Sequence, residues 1–322
     1  GALVGTYTGG AGDDTFKLGT SLAATDTIDM GDGTDQIEVS TNLTAVLSLV
    51  SNVEEVALTT ADINDGVTLT ISGASVPSAT TFVANANTGS TNDTAIVAFT
   101  NLDSGDTVRV MTAGSDSGTL ADGVSLTGTL ATDSDADTIN LNFQGIGATT
   151  TLTTDDSGIA NVTFDTVETL VIGSNANATN SVVTNGVEQI TGAVLANMTV
   201  SGSAALNVLS MSNTTKLTSV DASAATGKVT ITGLDASALT FKAGSADTVI
   251  TMAGLNASDS LTGGASAKDS VSASAVSGLD ATTGALNISA FETVALTTSG
   301  ANTIDMTNMV GVTTLSVTAN TQ

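Results

Sequence analysis

The sequence has no cysteine, no histidine and no tryptophan, and its 322 residues include one proline, Pro77, and one tyrosine, Tyr7. Without thiolate or imidazole there is no ligand set for structural zinc, an iron–sulfur cluster or haem. The missing cysteines exclude a disulfide framework. Aromatic residues make up 2% of the chain. The core must therefore come from Val, Ile, Leu, Ala and Thr, side chains that suit stacked β layers better than one bulky globular interior. Positive charge is scarce too. Six Lys and Arg stand against 32 Asp and Glu, for a net charge of −26. The six are Lys17, Arg109, Lys216, Lys228, Lys242 and Lys268, and they are scattered. No basic patch exists to neutralise phosphates, which argues against a nucleic-acid partner. A compact state with this charge repels itself, and divalent cations are the simplest remedy. No run approaches the ~20 apolar residues of a membrane-spanning helix. The opening Gly1-Ala2-Leu3-Val4 is not the charged and apolar leader of a secretory signal. The expectation is a fragment of a longer protein, with export and anchoring segments elsewhere.

What is present is short-period alternation. Thr68-Leu69-Thr70-Ile71, Lys228-Val229-Thr230-Ile231-Thr232 and Thr314-Leu315-Ser316-Val317-Thr318 alternate apolar with hydroxyl residues. A period of two reads as half-buried strand. Gly, Asn, Asp and Ser clusters punctuate the runs as turns. Helical spacing is rare; the best candidate is Leu43 to Val50, with Asn42 or Thr41 as N-cap. The chain is expected to be all-β with a few short helices, built as β-roll or parallel β-solenoid units.

The most informative stretch is Gly9-Gly10-Ala11-Gly12-Asp13-Asp14-Thr15-Phe16-Lys17. It fits the nonapeptide G-G-x-G-x-D-x-U-x, where U is a large apolar residue. Glycines let the backbone adopt positive φ and turn carbonyl oxygens inward. The Asp supplies a hard oxygen suited to calcium. The apolar residue opens a strand and points to the core. A second copy, Met30-Gly31-Asp32-Gly33-Thr34-Asp35-Gln36-Ile37-Glu38, puts Met in place of the first Gly. Stacked turns recur after two nonapeptides, roughly 18 residues. Asp14 and Asp35 are 21 apart, which fits stacking with about three extra residues, whereas Asp26 would fall on the opposite turn. Such a pair could offer calcium the Asp14 and Asp35 carboxylates plus carbonyls of the turns at Gly10, Gly12, Gly31 and Gly33. Asp13, Asp29 and Asp32 lie close enough to join or to tune the field. The alternative is a plain Asp-Gly turn that binds nothing.

The triplet Asp-x-apolar recurs at Asp14, Asp26 and Asp35 and again at Asp247, Asp259 and Asp269. Asp26, Asp247, Asp259 and Asp269 are candidate ligands as well, although the Gly-to-Asp spacing is one residue short before Asp247 and one long before Asp269. Weaker copies start at Asp93, Asp106 and Asp137. A second repeat, apolar-Glu-x-apolar-x-apolar, occurs at Val53-Glu54, Val167-Glu168 and Phe291-Glu292, with a shorter copy at Val187-Glu188. Its Glu reads as a solvated or hydrogen-bonded strand-end carboxylate rather than a ligand. A third, apolar-Asx-Ala-Ser/Thr, occurs at Val220, Leu234, Leu255 and Leu279, with the Asx making a side-chain turn. Irregular recurrence of one strand-turn unit predicts a parallel solenoid. The expected division is a roll-like unit over 1–75, a β-rich central region over 76–240 and a second, degenerate roll-like unit over 241–322.

The stretches Gly9 to Lys17 and Asp26 to Asp35, with strands of the Asn52-Val53-Glu54 type, resemble type-I-secreted RTX surface proteins of Gram-negative bacteria. Among these the chain is most similar to calcium-dependent surface-layer proteins. The close match covers about 30 residues; the Thr-, Ala- and Ser-rich style covers the rest. The resemblance implies a secreted, extracellular structural protein at the cell surface, not an enzyme, that folds and assembles with itself into a lattice with calcium. A segment outside this chain would meet cell-surface polysaccharide. Ligand roles carry over to Asp14 and Asp35, and turn roles to Gly10, Gly12, Gly31 and Gly33. Two other functions stay open: an RTX adhesin that binds a surface or glycan, and a β-helical polysaccharide lyase or epimerase. The last would need a base and charge-neutralising groups in one site, which one Tyr and six scattered cations supply poorly.

Overall fold

The computed structural model describes residues 6–60, 68–86, 96–112, 124–147, 159–176, 184–235, 238–276, 284–298 and 304–319. The Asp93 triplet and the Leu279 copy of the third repeat lie outside these residues. Elsewhere the alternation becomes strand directly. Thr138–Gln144, with sequence TINLNFQ, alternates half-buried and buried residues along its whole length.

The strands form a flattened parallel roll. The chain passes alternately through two faces, one strand in each per rung. The front sheet has 13 strands, from Thr15–Gly19 to Met309–Val310. The back face begins as a three-stranded sheet of Thr6–Ala11, Thr27–Asp32 and Val50–Ser51. It continues as an 11-stranded sheet from Thr68–Ser72 to Thr314–Ala319. A single bridge, Leu43 to Ile71, links these two parts. Every strand pairing among the described residues is parallel, as for Thr15 with Gln36 or Thr293 with Thr314. The expected boundary after 75 falls between Glu55–Thr60 and Thr81–Ala86, which pair in the front sheet, and the one after 240 falls inside Thr240–Lys242, which pairs with Ser219–Ala225.

Register stacks like on like inside the roll. Phe16, Ile37, Val56, Phe82, Val108, Leu141, Ile172 and Val200 succeed one another in the front sheet. Ile231, Ile250, Val271, Val294 and Leu315 do so in the back sheet. Neighbouring rungs lie ~4.8 Å apart, so each apolar side chain covers the next. One continuous core runs from Ile28 to Leu296, with full burial of each Val, Leu or Ile giving about 1.5–3 kcal/mol. The scarce aromatics are concentrated there: Phe82, Phe99, Phe143, Phe241 and Phe291 are all fully buried.

The expected helix at Leu43 to Val50 is absent. Its apolar spacing is met by an irregular strap that buries Leu43 and Leu47 and exposes Val46 and Leu49. The backbone finds partners across the roll instead of within a helix. Leu43 N donates to Thr70 O, Ser72 N to Leu43 O and Leu47 N to Ser75 O. Asn42, expected as an N-cap, accepts from Thr70 N at 2.8 Å. The helical content among the described residues is one 3-10 turn, Gly73–Ser75.

Candidate metal site and the Asp turns

The roll has two edges. At the first, the chain crosses from back face to front; at the second, from front to back. The nonapeptides Gly9 to Lys17 and Met30 to Glu38 stack in register at the first edge. Gly10 pairs with Gly31, Ala11 with Asp32 and Thr15 with Gln36. Gly10, Gly12, Gly31 and Gly33 all have φ between 94° and 150°, a region that L side chains avoid.

Asp35 is the best-held carboxylate of this pair and fully buried. Its Oδ1 accepts from Asp14 N at 2.8 Å, 21 residues earlier. Its Oδ2 is buried and has no hydrogen-bond partner. The Asp14 carboxylate is half-buried. It folds back over Gly9, so a Cβ added there would lie 2.8 Å from Asp14 Oδ2 and 2.4 Å from the Met30 carbonyl oxygen. Asp13 is exposed and accepts from Thr34 N at 2.8 Å. Asp32 is exposed and uses its carbonyl, which accepts from Gly12 N at 2.6 Å. Asp29 points outward from the back strand Thr27–Asp32, where Asn52 Nδ2 donates to its Oδ1 at 2.7 Å. Asp26 falls on the second edge, buried, with Oδ2 accepting from Ala23 N at 2.7 Å and Oδ1 unpartnered.

The later triplet has exchanged edges. Asp247 and Asp269 precede back-sheet strands and lie on the second edge, while Asp259 precedes Ser260–Thr262 of the front sheet and lies on the first. Asp269 accepts from Thr248 N and Gly264 N, both at 2.7 Å. Asp259 accepts from Leu239 N at 2.7 Å and Asn256 N at 2.8 Å. The half-buried Asp247 takes a short bond from Ser266 Oγ.

Two rules emerge that sequence spacing alone did not provide. The first concerns Asp26, Asp106, Asp137 and Asp259. Each closes a corner by accepting, through Oδ2, the N–H of the residue three before it. The second concerns the apolar-Glu repeat. Glu54 Oε2 accepts from Asp35 N, Glu168 Oε2 from Asp137 N and Glu292 Oε2 from Asp269 N, each at 2.9 Å. The strand-end carboxylates are thus hydrogen-bonded, and each fastens the Asp turn of the preceding rung. An Asp-x-apolar triplet followed one rung later by apolar-Glu was the available signal. In the third repeat, Asn256 Oδ1 accepts from Ser258 N and Asp221 Oδ1 from Ser223 N, the side-chain turn that its composition suggested.

Burial separates these carboxylates electrostatically. Desolvation pushes Asp106 up from 3.8 to about 6, against the hydrogen bond from Asp103 N. Burial likewise raises Asp259 and Asp269. The Ser134 N–H holds Asp137 below the usual range. The sign for Asp106 follows from linkage. Its folded form holds the proton more tightly than the unfolded chain, so its contribution to stability falls as pH rises from about 4 to about 6, and stays low above that. Asp106→Asn keeps an acceptor for Asp103 N and removes the buried charge. The variant should gain about 1–2 kcal/mol over the parent at pH 7.5, after discounting for solvent at the corner, and little at pH 4.5. Urea midpoints at the two pH values check this; equal differences at both would rule it out.

Three cations pair with carboxylates on the outer face of the front sheet. Arg109 makes a two-pronged contact with Glu55, Nη2 to Oε1 at 2.8 Å and Nη1 to Oε2 at 3.1 Å, across the intervening strand Thr81–Ala86. Gln36 Nε2 donates to the same Glu55 carboxylate at 3.1 Å. Lys17 meets Glu38 at 3.1 Å and Lys242 meets Asp221 at 3.8 Å. These are cross-rung ties spread along the sheet.

Calcium takes six to eight oxygens. Among the described residues no three acidic side chains converge on one point. An ion at the first edge would therefore rest on two carboxylates, Asp14 and Asp35, completed by turn carbonyls. The all-oxygen donor set and the orphaned Asp35 Oδ2 fit such an ion. The arrangement defines a parallel β-roll with Gly-Asp turns at its edge. No family model, curated protein or solved structure matches the chain.

Proposed function

We propose that this chain is a calcium-stabilised segment of a secreted bacterial surface-layer protein that assembles with itself at the cell surface. The observation that carries the reading is the buried, unpartnered Asp35 Oδ2 in a stack of glycine turns whose sequence fits the RTX nonapeptide. A buried carboxylate oxygen without a hydrogen-bond partner is unfavourable, and a divalent cation would satisfy it. The net charge of −26 supports the same direction. Calcium bridging acidic faces of neighbouring copies would offset repulsion that otherwise keeps them apart. Since binding adds RT ln(1 + [L]/Kd) to stability, high extracellular calcium would favour the folded roll outside the cell. No helix among the described residues is long and apolar enough to cross a membrane.

The test is a calcium titration followed by circular dichroism, light scattering and electron microscopy, then chelation. Ordered sheets that form with calcium and disperse on chelation are expected. Persistent monomers that bind glycan would replace the layer reading with the adhesin one. Association and fold that ignore calcium would remove the metal from the account.

A further inference from the structure

Resting on that calcium reading, we infer that the demand for a cation lies in the first rungs, residues 6–60, and that the rungs from 124 on close their Asp turns without metal. Five of the six buried aspartates among the described residues fall into two chemical classes; the sixth, Asp106 at 7% exposure, has Oδ2 on Asp103 N and belongs to neither. Asp26 and Asp35, at 1% and 0% exposure, each have one oxygen on a backbone N–H and the other buried with no partner. Asp137, Asp259 and Asp269 are as deeply buried, at 3%, 1% and 0%. Yet both oxygens of each are occupied. Asp137 takes Ser134 N and Ser134 Oγ; Asp259 takes Leu239 N and Asn256 N; Asp269 takes Thr248 N and Gly264 N.

The glycines before Asp247 and Asp269 differ from those of the first rungs as well, although Gly254, before Asp259, keeps φ +104°. Gly10, Gly12, Gly31 and Gly33 have positive φ. None of Gly244, Gly263 and Gly264 does. At the late turn Gly264 presents its N–H to the Asp269 carboxylate. That turn supplies donors where a cation needs acceptors. An ion entering there would have to break two charge-assisted hydrogen bonds, each stronger than a neutral one. At Asp35 and Asp26 it would break none, because a free oxygen already waits. The two free oxygens lie on opposite edges of the same rungs, so metal would clamp the beginning of the roll from both sides. Rungs of a solenoid contact only their neighbours, so their stabilities are separable. Calcium then acts as a local fastener on a roll that is otherwise self-sufficient.

Hydrogen exchange read by mass spectrometry, on the whole chain with calcium chloride and after EGTA, tests this. With calcium at about 100 times its Kd, exchange in peptides from 6–60 should slow about 100-fold. Peptides from 124–276 should be unchanged. Asp35→Asn and Asp26→Asn should each diminish the calcium-dependent part, while Asp259→Asn leaves calcium stoichiometry by calorimetry unaltered. A calcium effect that spreads through 124–276, or is lost in Asp259→Asn, overturns the confinement but keeps the calcium reading. No calcium effect anywhere overturns both.

Discussion

Asp269→Ala is expected to destabilise the C-terminal rungs by about 2–4 kcal/mol, with or without calcium. The side chain is fully buried and anchors two backbone donors, Thr248 N and Gly264 N. Stranding a buried donor costs about 1–3 kcal/mol each. Set against this is relief of a carboxylate whose ionisation burial already opposes, with Glu292 and Asp247 adding like-charge repulsion. Two lost anchors outweigh one relieved charge, because Thr248 is fully buried and its N–H has no water to turn to. Asp247→Ala loses only the bond from Ser266 Oγ at a half-buried site, and should cost under ~1 kcal/mol. The measurement is the protection of amides between 248 and 292 in both variants. Equal losses would show that the carboxylate is not the anchor, and rescue of Asp269→Ala by calcium would show that a metal can replace it.

The strands were legible because Thr and Ser alternate with Val, Ile and Leu along nearly every rung, as in Thr138–Gln144. The Asp14–Asp35 stack was legible because two glycine turns fix local geometry and the chain between them is short. The helix expected over Leu43 to Val50 failed for a tertiary reason. An i, i+4 pair such as Leu43 and Leu47 is also satisfied by an irregular strap when the neighbouring rung offers Thr70 O and Ser75 O. The exchange of edges by Asp247 and Asp269 was invisible because an Asp triplet precedes strands of both sheets. Rung length varies as well: Asp35 meets Glu54 19 residues on, and Asp137 meets Glu168 31 on. Register therefore cannot be counted along the sequence. The Arg109–Glu55 tie, 54 residues apart and two rungs distant, needs that register to be seen.

Gly31→Ala should be far more damaging than Gly10→Ala, although the two glycines occupy the same place in successive nonapeptides and are register partners. Both have positive φ, +94° and +124°, so alanine at either position meets conformational strain of about 1–3 kcal/mol. The difference is what lies beneath. A Cβ on Gly10 has nothing within 4 Å, while a Cβ on Gly31 would sit 1.9 Å from the Gly10 carbonyl oxygen. That contact is with backbone, and no rotamer change relieves it. The turn at Met30 to Asp35 must lift from the turn below, which pulls Asp35 Oδ1 from Asp14 N. Gly10→Ala should therefore cost about 1–2 kcal/mol and leave the stacked turns intact. Gly31→Ala should cost more than about 4 kcal/mol once the clash is added to the strain, and unfold the first rungs while the rungs beyond 124 persist. Hydrogen exchange over 6–60 distinguishes the cases. Similar exchange in the two variants would mean that the glycine turns are not in contact, and would falsify the stack on which both the proposed ion and the Asp35 anchor depend.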